Sequence, residues 1–142
     1  MKILLPILLT LIVLLGSSPV TAEIVMQCGE ISGHAYYLPR ENLEGNWVRD
    51  RAKSSGFSLS LEGKKSDILW KDVTGIRSVT SDGGKVFVQG FSQGIITLYV
   101  YYEKYSQSEL WTFNLEKKEM YYSTHRIGGV TAKVALYKAS CS

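Results

Sequence analysis

Short stretches in which apolar and polar residues alternate recur along most of this chain. The clearest are Phe57–Glu62 and residues 130–136, where every second residue is apolar. Such alternation gives a strand one apolar and one polar face, whereas an amphipathic helix needs a 3.6-residue period. No long segment after residue 22 shows that helical period. The pattern therefore predicts an all-β protein.

Glycine-rich turn sequences separate these segments at intervals of roughly eight to twelve residues, which is typical of an antiparallel sandwich or barrel. We predict an antiparallel meander of about eight to ten strands, with an up-and-down barrel preferred over a sandwich because closure removes exposed strand edges. Residues 39–46 form the longest irregular stretch, which is long enough for one helical turn. The predicted strands are 23–28, 33–38, 57–62, 66–71, 76–80, 85–91, 95–102, 109–115, 120–125 and 130–136.

The alternation in the C-terminal half also predicts a strand register. Val100 opposite Trp111 leaves a connection of about six residues, and Leu115 opposite Met120 leaves a four-residue turn, both of which are common hairpin lengths. A slip of one residue would exchange the two faces of a strand, so these pairings constrain the faces strongly. The residues expected on the core face are Ile96, Leu98, Val100, Trp111, Phe113, Leu115, Met120 and Tyr122.

The opposite face of the same strands is rich in tyrosine and gives a first candidate binding patch. Its members are Tyr99, Tyr101, Leu110, Tyr121 and His125, and the register predicts one row of Tyr101, Leu110 and His125. A second candidate is the pair His34 and Tyr36, which share one face of an early strand. The alternative is structural, because tyrosine favours pleated sheets and residues 39–56 could cover this face.

A hydrophobic leader and two cysteines indicate that the domain is exported and carries a disulfide. Lys2, the apolar stretch 4–15 and the small residues before Ala22 predict a signal peptide over residues 1–22, removed to leave one β-barrel or sandwich domain over residues 23–142. The stretch is too short to favour a spanning helix, so we expect no stable membrane insertion after cleavage. Export to the periplasm or the cell exterior then makes a disulfide between Cys28 and Cys141 the default, and this link would bring the first and last strands together.

Charge and motifs exclude more functions than they support. The net charge of +3 at pH 7 and the absence of long basic runs argue against a nucleic-acid partner. We predict no catalytic residue, no metal ligand and no cofactor, because His34 and His125 have no helical or short alternating spacing with other ligands. A small hydrolase using either histidine is the least favoured alternative.

Scattered residues across the chain carry a family resemblance. They are the string from Cys28 to Tyr37, Trp47 with Asp50, Asp67-Ile68, Asp72 with Gly75 and Ser78, Asp82-Gly83, Glu109 with Thr112-Phe113, and Cys141. In these the sequence resembles a family of small exported bacterial proteins of unassigned function. The resemblance implies bacterial export and a disulfide, and it adds no catalytic residue. In size and β content alone the chain is also similar to periplasmic lysozyme inhibitors.

The favoured interpretation is a non-enzymatic binding module of the cell envelope, with a small ligand, a glycan or a protein as its partner. The alternative is an inhibitor of a hydrolase such as lysozyme, acting through the 39–46 loop or the connection 103–108. A cavity lined by Trp47, Trp70 and Trp111 would indicate a carrier of a small molecule, whereas tryptophans packed together would indicate a filled scaffold.

Overall fold

The structure is a computed structural model that describes residues 23–52, 56–62 and 65–142. The signal peptide predicted for residues 1–22 lies outside the described residues. In the described part of the chain, eleven strands and one short 3-10 helix are present. They are β1 (Glu23–Cys28), β2 (Ile31–Tyr37), β3 (Asn46–Ala52), β4 (Phe57–Glu62), β5 (Lys65–Asp72), β6 (Gly75–Ser78), β7 (Lys85–Ser92), β8 (Ile95–Tyr102), the 3-10 helix (Glu103–Tyr105), β9 (Gln107–Asn114), β10 (Glu119–Arg126) and β11 (Lys133–Ser140).

The strands form two antiparallel sheets. A four-stranded sheet has the order β1-β4-β5-β6, and a seven-stranded sheet has the order β3-β2-β11-β10-β9-β8-β7. The all-β class and the antiparallel pairing are therefore confirmed. The described strands form no closed barrel, so the preference for a barrel over a sandwich is not confirmed. No helix in the described ranges is long and apolar enough to cross a membrane.

Strand β3 and the loop before it differ from the sequence prediction. Residues 46–52 form an edge strand beside β2, where the sequence predicts no strand. Only Trp47 and Val48 are bulky and apolar in the sequence of this strand, and charged residues follow them, so alternation gives little signal. The loop contains a turn closed by an isolated bridge between Arg40 and Leu43, and no helical turn.

The pairing of β8 with β9 has the predicted faces but a different register. Trp111 lies opposite Leu98 rather than opposite Val100, a displacement of two residues. A two-residue shift preserves which side chains face the core, because the side-chain period of a strand is two. The connection is shorter than predicted because the 3-10 helix ends at Tyr105 and the left-handed backbone of the next residue, Ser106, turns the chain directly into β9.

The hairpin between β9 and β10 shows the same kind of displacement. Met120 lies opposite Phe113 rather than Leu115, and the four-residue turn begins one position earlier than predicted. The side-chain oxygen of Asn114 accepts a hydrogen bond of 2.9 Å from the backbone N–H of Lys117, which fixes the turn at this position.

The predicted disulfide between Cys28 and Cys141 is present, with the two Cα atoms 3.8 Å apart. Around it, the backbone of Gln27 exchanges two hydrogen bonds with that of Ser142, at 3.1 and 2.8 Å. The end of β1 in the smaller sheet is therefore joined to the chain just after β11 in the larger one. The link fixes one corner where the two sheets meet.

The core lies between the sheets and contains the inward face predicted for β8, β9 and β10. The apolar side of the alternation at residues 130–136 faces outward instead, with Leu136 63 % exposed and Ala135 buried. Leu59 and Ile68 of the smaller sheet are fully buried against it. The buried apolar side chains of the larger sheet include Ile96, Leu98, Val100, Trp111, Phe113 and Met120. The core ends beside a cleft, where the inward side chains become polar and charged.

Candidate functional site

A cleft of about 420 Å³ opens between the two sheets. Phe57 and Trp70 line it from the smaller sheet, and Trp111, Tyr122 and Tyr137 line it from the larger sheet. Its volume is near the lower end of the range for sites that hold small organic ligands, and most of its lining residues are apolar or aromatic, as in such sites.

Aromatic rings from three neighbouring strands form one wall of the cleft. The ring centroids of Trp111 and Tyr122 are 4.0 Å apart, and those of Tyr122 and Tyr137 are 5.5 Å apart, with both pairs stacked. The register causes this row, because Tyr122 lies directly opposite Trp111 on β9 and Tyr137 on β11. Phe57 reaches across from the smaller sheet to within 5.2 Å of Trp111, so the wall is held from both sides.

A buried carboxyl group, that of Glu109 on β9, lines the cleft beside this wall. It accepts hydrogen bonds of 2.8 Å from the indole N–H of Trp111 and 2.8 Å from the hydroxyl of Tyr122, and a third from the amide of Gln107. Burial raises the pKa of Glu109, and the three donated hydrogen bonds only partly oppose this effect. Both carboxyl oxygens are thus occupied by protein donors.

A second charged cluster joins three strands of the larger sheet. One oxygen of Asp50 on β3 accepts hydrogen bonds from the ammonium group of Lys133 at 3.0 Å and the hydroxyl of Tyr137 at 2.7 Å. The hydroxyl of Tyr37 approaches the same oxygen at 3.3 Å. Burial is the largest influence on Asp50 and would raise its pKa, but these donors and the positive charge of Lys133 lower it overall. Burial raises the pKa of Tyr137 to about 12, so its hydroxyl remains a donor at neutral pH.

Arg126 on β10 contributes a cation to the same cleft. Its guanidinium carbon lies 4.7 Å from the ring centroid of Tyr105, and its Nε–H donates a 3.2 Å hydrogen bond to the carbonyl of Gly128. Two residues earlier on the same face of β10, the buried hydroxyl of Thr124 lines the cleft. Burial raises the pKa of the Tyr122 phenol, and the adjacent Thr124 hydroxyl opposes this rise. The Thr124 hydroxyl nevertheless lies outside hydrogen-bond geometry with every described residue.

The first patch predicted from sequence lies on the other side of the larger sheet. Leu110 is 46 % exposed and Tyr121 is 38 % exposed, while Tyr99 and Tyr101 are half-buried. The predicted row of Tyr101, Leu110 and His125 is wrong: Leu110 pairs with Tyr99, and Tyr101 and His125 both pair with Ser108. The two-residue shift of register described above is the cause. All five patch residues still share the outward face.

The second predicted pair, His34 and Tyr36, lies on this same outward face. β11 separates it from the first patch, and Leu136 of β11 pairs with His34 on one side and with Ser123 of β10 on the other. Trp47, 68 % exposed, extends the surface with its ring centroid 5.3 Å from that of Tyr36. The two patches that the sequence predicts separately therefore lie on one outward face, with β11 between them. Of the three tryptophans, Trp70 and Trp111 line the cleft and Trp47 does not.

The two histidines do not come together as a site. His34 and His125 are both exposed, lie two strands apart, and belong to different cross-strand rows of the larger sheet. The part of the chain that the structure describes contains no group of three or more histidine, cysteine, aspartate or glutamate side chains placed to hold a metal ion.

The charged residues of the cleft are not among the site residues predicted from the sequence. Glu109 alternates in phase with Trp111 and Phe113, and Arg126 alternates in phase with Met120 and Tyr122. Burying a charged residue on the core face of a strand costs free energy unless the residue is paired or functional. The position of Glu109 and Arg126 in phase with core residues was therefore the sequence feature that could have indicated a site. Lys133, which also lines the cleft, gives no comparable signal, because it falls on the polar side of the alternation at residues 130–136. Its partner Asp50 lies on β3, where the sequence predicts no strand.

Comparison with known proteins leaves the family open. No protein-family model, no curated protein and no solved structure matches the chain. The resemblance to small exported bacterial proteins therefore stays a prediction, and the geometry of the cleft is the basis for a functional proposal.

Proposed function

We propose that this protein is a non-enzymatic binding protein whose cleft between the two sheets takes a small organic molecule with an apolar body. The observation that carries the proposal is the cleft itself: about 420 Å³ bounded by Trp70, Trp111 and Tyr122, with polar groups at its side. An aromatic cleft with a few fixed polar groups is the usual form of a small-molecule site.

The hydrogen bonding of the acids favours binding over catalysis. A general acid or base needs an oxygen within reach of the proton that it transfers. Both oxygens of Glu109, the acid beside the aromatic wall of the cleft, accept hydrogen bonds from Trp111, Tyr122 and Gln107. Asp50 lies outside the cleft lining, and one of its oxygens accepts the hydrogen bonds of Lys133 and two tyrosines. Such groups hold the walls in place, which lowers the entropy cost of binding a ligand.

The three tryptophans provide a direct test, because two line the cleft and one does not. We would assign the indole N–H signals by NMR with single Trp→Phe variants and titrate the protein with benzoate, benzamide, methyl glucoside and methyl glucuronide. We expect at least one compound to shift the signals of Trp70 and Trp111 in a saturable manner, while the signal of Trp47 stays in place.

Two matched variants locate the binding. Trp70→Ala removes a ring from the cleft and is expected to weaken binding at least fivefold. Trp47→Ala removes a ring from the outward face and is expected to leave the affinity within twofold. The proposal is wrong if no compound in the panel shifts the Trp70 and Trp111 signals, or if binding follows Trp47.

We also infer that the protein works after export, in the periplasm or outside the cell. The predicted leader over residues 1–22 and the Cys28–Cys141 disulfide support this, because disulfides persist in oxidising compartments. Mass spectrometry of the protein recovered from the envelope or medium is expected to give a chain that begins at Glu23. Full-length protein with free thiols in the cytosol would contradict the inference.

Inhibition of a hydrolase such as lysozyme is a second candidate, favoured by one end of the molecule. Leu43 in the loop 38–45 is 70 % exposed and Val130 is 83 % exposed, and both line a depression between their loops. If this end binds an enzyme, Leu43→Asp is expected to abolish inhibition in a lysozyme activity assay. Val73→Asp, at a fully exposed turn elsewhere, is the control and is expected to have no effect.

A further inference from the structure

We propose that the ligand of the cleft carries a carboxylate and that Arg126 binds it. This inference rests on the proposed function and specifies the class of molecule. The basis of the inference is a difference in hydrogen bonding within the cleft. The acids that line it accept hydrogen bonds from protein donors, whereas the terminal amino groups of Arg126 and the hydroxyl of Thr124 have no protein acceptor among the described residues.

The acids near the cleft have partners of their own. Asp50 is held by Lys133, and Asp82 by the guanidinium group of Arg77. Glu109 receives its hydrogen bonds from neutral groups, and Arg126 acts on it only through its charge at a distance. Among the described residues no carboxylate lies within ion-pair distance of Arg126.

Arg126 is also held ready to bind. The ring of Tyr105 lies against its guanidinium group, and the carbonyl of Gly128 accepts its Nε–H. Its terminal amino groups make no hydrogen bond to the residues that the structure describes. A guanidinium group binds a carboxylate through two parallel hydrogen bonds, so a fixed orientation adds specificity as well as affinity.

Thr124 supplies an independent indication of a polar ligand. The residue is 2 % exposed, lines the same cleft and leaves its hydroxyl without a hydrogen bond to any described residue. A buried hydroxyl without a partner costs free energy, and a bound acceptor would recover it. Because Thr124 and Arg126 are two residues apart on β10, their side chains point to the same side of the sheet.

Benzoate and benzamide form a matched pair of probes, because they share a ring and a planar head group and differ in charge. Titrations of the wild-type protein, followed by the Trp70 signal, are expected to show benzoate binding at least tenfold more tightly than benzamide. Arg126→Gln is expected to reduce this preference to less than threefold.

Arg49→Gln is the control, because Arg49 is an exposed arginine on the outward face of the larger sheet. It is expected to keep the preference for benzoate. If Arg126→Gln does not fold, the Nε–H NMR signal of Arg126 in the wild type serves instead, and it is expected to shift with benzoate and not with benzamide.

The failures of the two proposals are distinguishable. Equal binding of benzoate and benzamide, or a preference that survives in Arg126→Gln, would overturn the carboxylate assignment and leave the cleft as a site for neutral molecules. If neither probe nor the sugars perturb the cleft tryptophans, the binding function fails and the carboxylate assignment fails with it.

Discussion

The disulfide between Cys28 and Cys141 permits a quantitative prediction, because it closes almost the whole described chain. The two residues are 113 positions apart. In the chain-entropy model, opening a loop of that length stabilises the unfolded chain by about 5 kcal/mol. Without the disulfide, the two backbone hydrogen bonds between Gln27 and Ser142 still join the end of β1 to the chain after β11 in the folded state. The variant Cys28→Ala/Cys141→Ala is therefore expected to fold with a free energy of unfolding lower by about 4 to 5 kcal/mol.

Urea unfolding followed by tryptophan fluorescence measures this loss. With an m-value of about 1–3 kcal/mol/M, the midpoint is expected to fall by roughly 1.3 to 5 M urea, or the protein to be largely unfolded in buffer. Wild-type protein in a reducing agent is the control and is expected to match the double variant within about 1 kcal/mol, the packing contribution of the buried sulfur. A loss below about 1 kcal/mol would refute the reasoning, because the unfolded chain would then already be restricted without the link.

Three further predictions concern the core and the cleft. Leu98→Ala, at a fully buried position, is expected to lower the free energy of unfolding by about 2–5 kcal/mol, whereas Leu136→Ala, at a 63 % exposed position, costs less than about 0.5 kcal/mol; thermal or urea unfolding compares them. Asp50→Asn leaves the ammonium group of Lys133 without its carboxylate and is expected to cost about 2 kcal/mol at pH 7 in the same assay. The pKa of Glu109 is raised in the folded state, so its contribution to stability is present below the ordinary pKa of 4.5 and is lost as the pH rises through the folded value. Urea titrations between pH 4.5 and 7 are therefore expected to show Glu109→Gln becoming more stable relative to the wild type as the pH rises, and a constant difference would contradict this.

The alternation of apolar residues predicted much of the fold because burial acts on one face of each strand. Ile96, Leu98 and Val100 are in phase in the sequence and are all buried in the structure. The register was less predictable: a shift of two residues leaves every face unchanged, so burial does not distinguish the two pairings. Local turn chemistry decided between them, through the left-handed backbone of Ser106 and the side-chain hydrogen bond of Asn114.

Features that depend on contacts distant in the sequence were not predictable in this way. β3 lies at the edge of its sheet, and its charged residues give no alternating pattern. The division into two sheets depends on which strand edges meet, which the pattern within single strands does not contain. The union of the two outward patches likewise requires β11 to lie between β10 and β2.

The cleft shows how one strand carries both stability and a site. On the inward face of β9, Phe113 and Trp111 pack in the core and Glu109 follows them toward the cleft, so the polarity of this face changes along the strand. β10 repeats the change, from Met120 through Tyr122 to polar residues. On both strands the inward side chains change from apolar to polar at the same level of the sheet. Packing of the apolar ends fixes the register of β9 against β10, and this register brings the polar side chains of the cleft together. A substitution that shifted β10 against β9 by two residues would keep the core faces and separate Tyr122 from Trp111, removing the aromatic wall before it removed the fold.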